Sequence, residues 1–270
     1  MTPAVSGQDV TVRYGSNVAL ASSNLSIPSG MVTTLIGPNG SGKSTLLNLI
    51  AGLVEPSSGS IRLHGDGPPR LSYVLQSTKV NEALPVTVAE IVAMGRYSKA
   101  GLLGRFDGSD RAAIQEAMQR MDIESLAGRH LAELSGGQRQ RVFVAQGLAQ
   151  PHDLLLLDEP LTGLDLPSAR AIDSVIHDEQ RHGCTVIMTT HDLAEAQASD
   201  WVVLLSGRVI ACGAPAEVLT QEHLSAAYGS LHIEGDHVFV DDPAHRSADA
   251  RHHHGERLIH TEADRSDLHG

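Results

Sequence analysis

The stretch GPNGSGKST, Gly37 to Thr45, lies between a β-rich run, MVTTLIG, and a run with helical periodicity, STLLNLIAGL. Glycines at this density let a backbone curl until successive N–H groups converge on one anion. A helix N-terminus placed directly behind adds its dipole. The spacing matches Gly-x-x-x-x-Gly-Lys-Ser/Thr in the strand-to-helix context that pattern requires. The chemistry it implies is polyphosphate binding. Gly37, Pro38, Asn39, Gly40, Ser41 and Gly42 form the cradle, Lys43 reaches the β- and γ-phosphates, and the Ser44 hydroxyl, next to Thr45, ligates Mg²⁺.

Two further stretches supply the rest of a hydrolytic site. LLLLDEP, Leu154 to Pro160, ends an apolar run in two carboxylates. An acidic turn after a strand means little alone, but downstream of a phosphate loop it acquires roles. Asp158 is placed to hold Mg²⁺, and Glu159 to orient or deprotonate the attacking water. In VIMTTHD, His191 follows another apolar run and is placed to touch a γ-phosphate. Gln76, at the end of YVLQ, says little by itself.

LSGGQRQR, Leu134 to Arg141, holds no nucleophile and no acid–base pair. Ser135 followed three residues later by Gln138 fits a capping box, with Gly136 and Gly137 behind the cap. This predicts a bare helix N-terminus aimed at an anion.

The elements that must position these residues alternate. VTVRYGSNVALASSNLSI predicts early antiparallel strands, SIRLHG and LSYVLQ predict short strands, and WVVLLSGRVIACG a hairpin turning at Ser206–Gly207. Residues from Pro85 change to helical grammar. A Thr87–Glu90 capping box opens one helix, and Ile114, Met118 and Met121 share a face of the next. The fold class expected is α/β: a P-loop NTPase core with an antiparallel β subdomain and a helical insertion at about 77–147, all within residues 1–230. The remaining 231–270 segment, DDPAHRSADARHHHGERLIHTEADRSDLHG at its core, is polar, acidic and histidine-rich, and is expected to be disordered.

Bulk properties remove several classes. The 270 residues carry a net charge of −12, which argues against a nucleic-acid partner. Two cysteines, Cys184 and Cys212, make no disulfide framework. No apolar run approaches the ~18 residues of a membrane span, and MTPAVSGQDV lacks the basic and apolar regions of a signal peptide, so a membrane role requires a separate partner.

The ordered set GPNGSGKST, YVLQ, LSGGQ, LLLLDEP, GLD and TTHD resembles the ATP-binding subunit of ABC transporters over roughly residues 8–220. That resemblance implies that Tyr14 stacks on adenine and that Gln76 contacts Mg²⁺ and senses the γ-phosphate. It also implies that Asp165 communicates across a dimer and that His191 is a switch. It gives LSGGQ its anion. Ser135, Gly136, Gly137 and Gln138 of one subunit face the γ-phosphate of ATP held on the P-loop of another, so the ATP-bound state is a homodimer. The partners implied are integral-membrane permease subunits and, through them, an extracytoplasmic metal-binding protein. The place implied is the cytoplasmic face of the inner membrane.

MGRYSKAGLLGRF, Met94 to Phe106, is similar to the importer branch that handles zinc, manganese and iron chelates. Nine of fifteen histidines lie after residue 220, and imidazole suits zinc and related metals. The reading is import of a transition metal, zinc or manganese. An iron-chelate or other cargo, an exporter, and a non-transport ATPase stand as alternatives. In the tail, His252, His253, His254 and His260 are expected to bind Zn²⁺ weakly and reversibly, since no cysteine-rich pattern of a closed structural centre is present.

Overall fold

A computed structural model describes residues 2–65, 67, 70–75, 85–97, 105–229, 231–234 and 237–240. Gln76 and the tail histidines His252, His253, His254 and His260 lie outside the described residues. So does the expectation of disorder, except that 231–234 and 237–240 pair as two short antiparallel strands.

In chain order the elements begin with β1 (Pro3–Tyr14), β2 (Asn17–Pro28), β3 (Val32–Ile36), α1 (Lys43–Ile50), β4 (Ser58–Leu63) and β5 (Leu71–Val74). Next come α2 (Val88–Met94), α3 (Gly108–Arg120), α4 (Gly136–Ala149), β6 (Leu154–Leu157), α5 (Leu166–Arg181) and β7 (Thr185–Thr190). The described part closes with α6 (Leu193–Ala198), β8 (Trp201–Leu205), β9 (Val209–Gly213), α7 (Pro215–Val218), α8 (Gln221–Tyr228), β10 (Leu231–Glu234) and β11 (His237–Val240).

Six strands form the central sheet in the order β5-β6-β7-β3-β8-β9. The first five run parallel, and β9 closes the edge antiparallel to β8. Both faces of the parallel part are covered, which is why β3, β6 and β7 are buried at every position and read as continuous rather than alternating runs. Each buried leucine of Leu154–Leu157 stabilises the sheet by roughly 1.5–3 kcal/mol. A second, antiparallel sheet, β2-β1-β4, packs its inner face with Val5, Val10, Leu20 and Ile27 against α1 and the central sheet. It starts earlier than the sequence pattern indicates: β1 already runs through Pro3–Gln8 and pairs with both β2 and β4.

Among the described residues, the helical insertion lies between β5 and β6 as α2, α3 and α4 with two short 3-10 turns. The Thr87–Glu90 capping box is present, with Thr87 N–H donating to Glu90 at 2.7 Å and Glu90 N–H donating to the Thr87 hydroxyl at 3.3 Å. Met121 is buried, with Ile114 and Met118 packed against the same core, which also holds Leu155 and Val186.

Arg120, at the end of α3, ties the insertion to the ATPase core. It donates to Glu179 Oε1 at 2.5 Å and to Asp178 Oδ2 at 2.8 Å, both on α5. The other Glu179 oxygen lies 3.0 Å from His152 Nε2. Burial opposes the charge on Glu179, but His152 and Arg120 outweigh it and hold the carboxyl down at about 2. Burial likewise opposes charging of His152, and is outweighed by its bonds to Cys184, Glu179 and the Gln150 carbonyl, which raise it to about 10. Arg120→Met keeps the apolar stem and removes both charge-assisted bonds. It is expected to cost roughly 1–3 kcal/mol, read as a lower thermal midpoint, with far-UV circular dichroism unchanged at 20–25 °C (about room temperature).

Candidate functional site: a cleft at the strand ends

The β3 strand ends at Ile36, and Gly37–Gly42 carries the chain over the C-terminal edge of the sheet into α1. Ligands in parallel α/β sheets bind at this edge. Gly42 caps α1 at φ 101°, a left-handed conformation, and a Cβ there would lie 2.9 Å from the Ala19 carbonyl oxygen. Only glycine satisfies both constraints. The same contact shows that β2 leans on the loop. Together they wall a cleft of about 370 Å³ lined by Asn17, Val18, Ala19, residues 39–45 and Glu159.

Lys43 is buried and donates through Nζ to the carbonyls of Gly37 at 2.7 Å and Pro38 at 3.1 Å. Burial pulls its pKa below the ordinary lysine value, while the charges of Glu159 and Asp158 pull it back up. A polyphosphate brought into the cleft would favour the charged amine further. The buried Ser41 hydroxyl has no hydrogen-bond partner among the described residues, so it is a donor waiting for an oxygen.

Asp158 sits at the end of β6, buried to 3% exposure. The Ser44 hydroxyl, on α1, lies 3.3 Å from both of its carboxylate oxygens. Thr189, at the end of the neighbouring β7, donates to Asp158 Oδ1 at 2.9 Å and accepts the Glu159 backbone N–H at 2.8 Å. Glu159 is held at φ 50°, left-handed for a non-glycine residue and costing roughly 1–3 kcal/mol. That turn carries its side chain to the cleft wall rather than along the strand. The Ser44 and Asp158 donors are hard oxygens, with no nitrogen or sulfur among them, a set suited to Mg²⁺.

The remaining residues picked from sequence are less central in one chain. Tyr14 is half exposed at the β1–β2 turn and pairs with Asn17, one of the cleft-lining residues. His191 follows β7 directly and is exposed, and it is not among the cleft-lining residues. The capping box at α4 is formed: Ser135 N–H donates to Gln138 Oε1 at 3.0 Å, and Gln138 N–H donates to Ser135 Oγ at 3.2 Å. Ser135 and Gly136 are exposed. None of Ser135, Gly136, Gly137 and Gln138 lines the cleft of its own chain. Asp165 caps α5, and its Oδ1 packs on Gly137 so closely that a Cβ on Gly137 would sit 2.4 Å from it.

Two contributors escape a reading by sequence. Thr189 looks like strand filler in VIMTT, and only the β6–β7 pairing gives it Asp158 and Glu159 as partners. The Asn17–Ala19 wall carries no chemical signal at all and acts through backbone and shape.

Residues 20–162 match the family model described as ABC transporter. The chain belongs to the ABC transporter family. It is 39% identical over 226 residues to the manganese transport system ATP-binding protein of Bacillus subtilis (strain 168), covering 82% of this chain and 90% of that protein. It is 38% identical over 231 residues to the zinc transport system ATP-binding protein of Treponema pallidum (strain Nichols), covering 84% and 87%. Among solved structures it is similar to a dimeric ATP-binding cassette in a post-hydrolysis state bound to ADP and Pi, at 28% identity and a TM-score of 0.67, covering 78% of this chain and 98% of that one. Its fold is thus the ABC ATPase fold. No helix among the described residues is long and apolar enough to cross a membrane.

Proposed function

We propose that this ABC protein is the ATP-hydrolysing subunit of a transition-metal importer, for zinc or manganese. It works as a homodimer on the cytoplasmic face of the inner membrane, against integral-membrane permease subunits that receive metal from an extracytoplasmic binding protein. The observation that carries the ATPase reading is the half-built cleft. The P-loop, Asp158 and Glu159 converge, while the start of α4, exposed at Ser135 and Gly136, lines no part of that cleft. A second copy, turned so that its α4 N-terminus faces the first copy's cleft, completes the site.

In this reading Lys43 leaves the Gly37 and Pro38 carbonyls and neutralises the β- and γ-phosphate oxygens. Ser41 and the loop amides hold the same oxygens, and Tyr14 stacks on the base. Ser44, Asp158 and Gln76 hold Mg²⁺, which when bound offsets phosphate charge and polarises the γ-phosphoryl group. Glu159 orients the attacking water and accepts its proton as the water oxygen–phosphorus bond forms and the bond from the γ-phosphorus to the β–γ bridging oxygen breaks, its electron pair leaving with ADP. His191 contacts the γ-phosphate, and Asp165, seated on Gly137, passes the state of the α4 helix end to the loop after β6. Loss of the γ-phosphate removes the charge that held two subunits together.

The permease reading is supported by a groove of about 300 Å³ between the core and the insertion, with Val74, Leu75, Ile91, Met94 and Phe143 among its walls. Leu75, Met94 and the nearby Tyr97 are large apolar residues left exposed, which suits a docking helix. The metal cargo rests on the manganese and zinc systems named above. The test is uptake of radioactive zinc and manganese by cells deleted for this chain and rescued with wild type or Glu159→Gln. Wild type should restore uptake of one metal and Glu159→Gln should not. Undiminished uptake of both metals in the deletion strain at limiting metal would overturn the cargo.

A further inference from the structure

At the end of the sheet opposite the nucleotide cleft, three separate segments bring a histidine, a carboxylate and a thiol together. His152 precedes β6, Glu179 lies in the last turn of α5, and Cys184 precedes β7. One ligand atom from each lies within 4.8 Å of the others. Glu179 and Cys184 are buried and His152 is half-buried, with the side chains of His152 and Glu179 only 7% and 10% exposed. None takes part in the hydrolysis described above. We propose that His152 Nε2, a Glu179 carboxylate oxygen and Cys184 Sγ form a binding site for a borderline divalent cation, Zn²⁺ in class.

The surroundings have the arrangement of a supported metal site. His152 Nδ1 is 2.6 Å from the Gln150 carbonyl oxygen, to which its N–H donates, so the ring is oriented with Nε2 toward Glu179. Arg120 bonds Glu179 Oε1, which leaves Oε2 as the oxygen facing the histidine. Metal-bound imidazoles and carboxylates take this kind of outer-shell support. Donors around tetrahedral zinc are separated by about 3.3–3.8 Å, so the His152–Glu179 pair at 3.0 Å need open only slightly and the thiol, within 4.8 Å, need close only slightly. A divalent ion held by one carboxylate and one thiolate is neutralised, so the bound set leaves no net charge in a buried place. A groove lined by Asp153, Gly183 and Thr185, immediate neighbours of two of the ligands, offers a way in. The nitrogen, oxygen and sulfur set favours Zn²⁺ and Co²⁺ over Mn²⁺, which prefers oxygen.

The full-length chain titrated with Co²⁺ tests this through the near-ultraviolet thiolate-to-cobalt charge-transfer band. Wild type should develop the band at one equivalent, lose it on adding Zn²⁺, and keep it with excess Mn²⁺. The tail histidines carry no sulfur and give no such band. The chain has two cysteines. Cys212→Ser should retain the band and Cys184→Ser should lose it, and His152→Gln should weaken Co²⁺ binding at least about tenfold. ATP binding, read separately on each variant, reports folding. No band in wild type at tenfold excess Co²⁺ (about 10:1, well above a tight site), or a band that survives Cys184→Ser, would overturn the site.

Discussion

Glu159→Gln is expected to bind Mg-ATP with near-native affinity and to hydrolyse it about 10²–10⁴-fold more slowly. The amide preserves the size of the side chain and leaves intact the Glu159 backbone N–H bond to Thr189, since that bond belongs to the main chain. It removes the group that takes a proton from water. Asp158, Ser44 and Lys43 are untouched, so phosphate binding persists. A subunit that cannot turn over keeps its γ-phosphate, and with it the charge that joins two copies. Sizing chromatography should therefore show the variant as a dimer with ATP and a monomer without it, while phosphate release falls to near background. A variant that hydrolyses at the wild-type rate removes Glu159 from the chemistry. One that stays monomeric in saturating ATP removes the two-copy site.

Lys43→Ala should fail one step earlier. The ammonium is buried and supplies a charge-assisted contact to a polyphosphate. Losing it is expected to cost roughly 1.5–3 kcal/mol of binding, about 10- to 150-fold in Kd. Part of the cost is offset, because the wild-type ammonium must give up its bonds to the Gly37 and Pro38 carbonyls on binding and the variant has none to break. Turnover should fall below detection, because the same charge serves the β- and γ-phosphates during transfer. Equilibrium binding of a fluorescent ATP analogue, alongside phosphate release, checks both halves. Near-native affinity would mean that loop amides and the α1 N-terminus carry the phosphates without the lysine. Together the two variants separate binding from chemistry: one should hold ATP and stall, and the other should barely hold it.

Most of the residues proposed to handle the nucleotide are legible in the sequence because each part is local. A phosphate loop is nine consecutive residues whose glycines, lysine and hydroxyl act within one turn of chain, and its strand and helix neighbours are adjacent in sequence. The same holds for the Ser135–Gln138 capping box, which is a four-residue device and is present as read. Asp158 and Glu159 gained meaning from the end of an apolar run, since a buried parallel strand must deliver its next residues to the ligand edge.

What only the tertiary structure decided involves residues far apart in the chain. Thr189 holds Asp158 and the Glu159 backbone because β6 and β7 pair in a register that sets Leu157 opposite Met188. Asn17–Ala19 become a cleft wall because the antiparallel sheet leans on Gly42, a contact between a backbone carbonyl and a missing side chain that leaves no trace in residue type. Asp165 meets Gly137 across two helix starts, which explains why that glycine has no room for a side chain. His152, Glu179 and Cys184 carry no motif spacing. They meet because adjacent parallel strands begin side by side and the helix between them ends there. Local chemistry is written in runs of neighbours, whereas the register of a parallel sheet is set by the packing of whole elements, and it alone chooses which distant residues become partners.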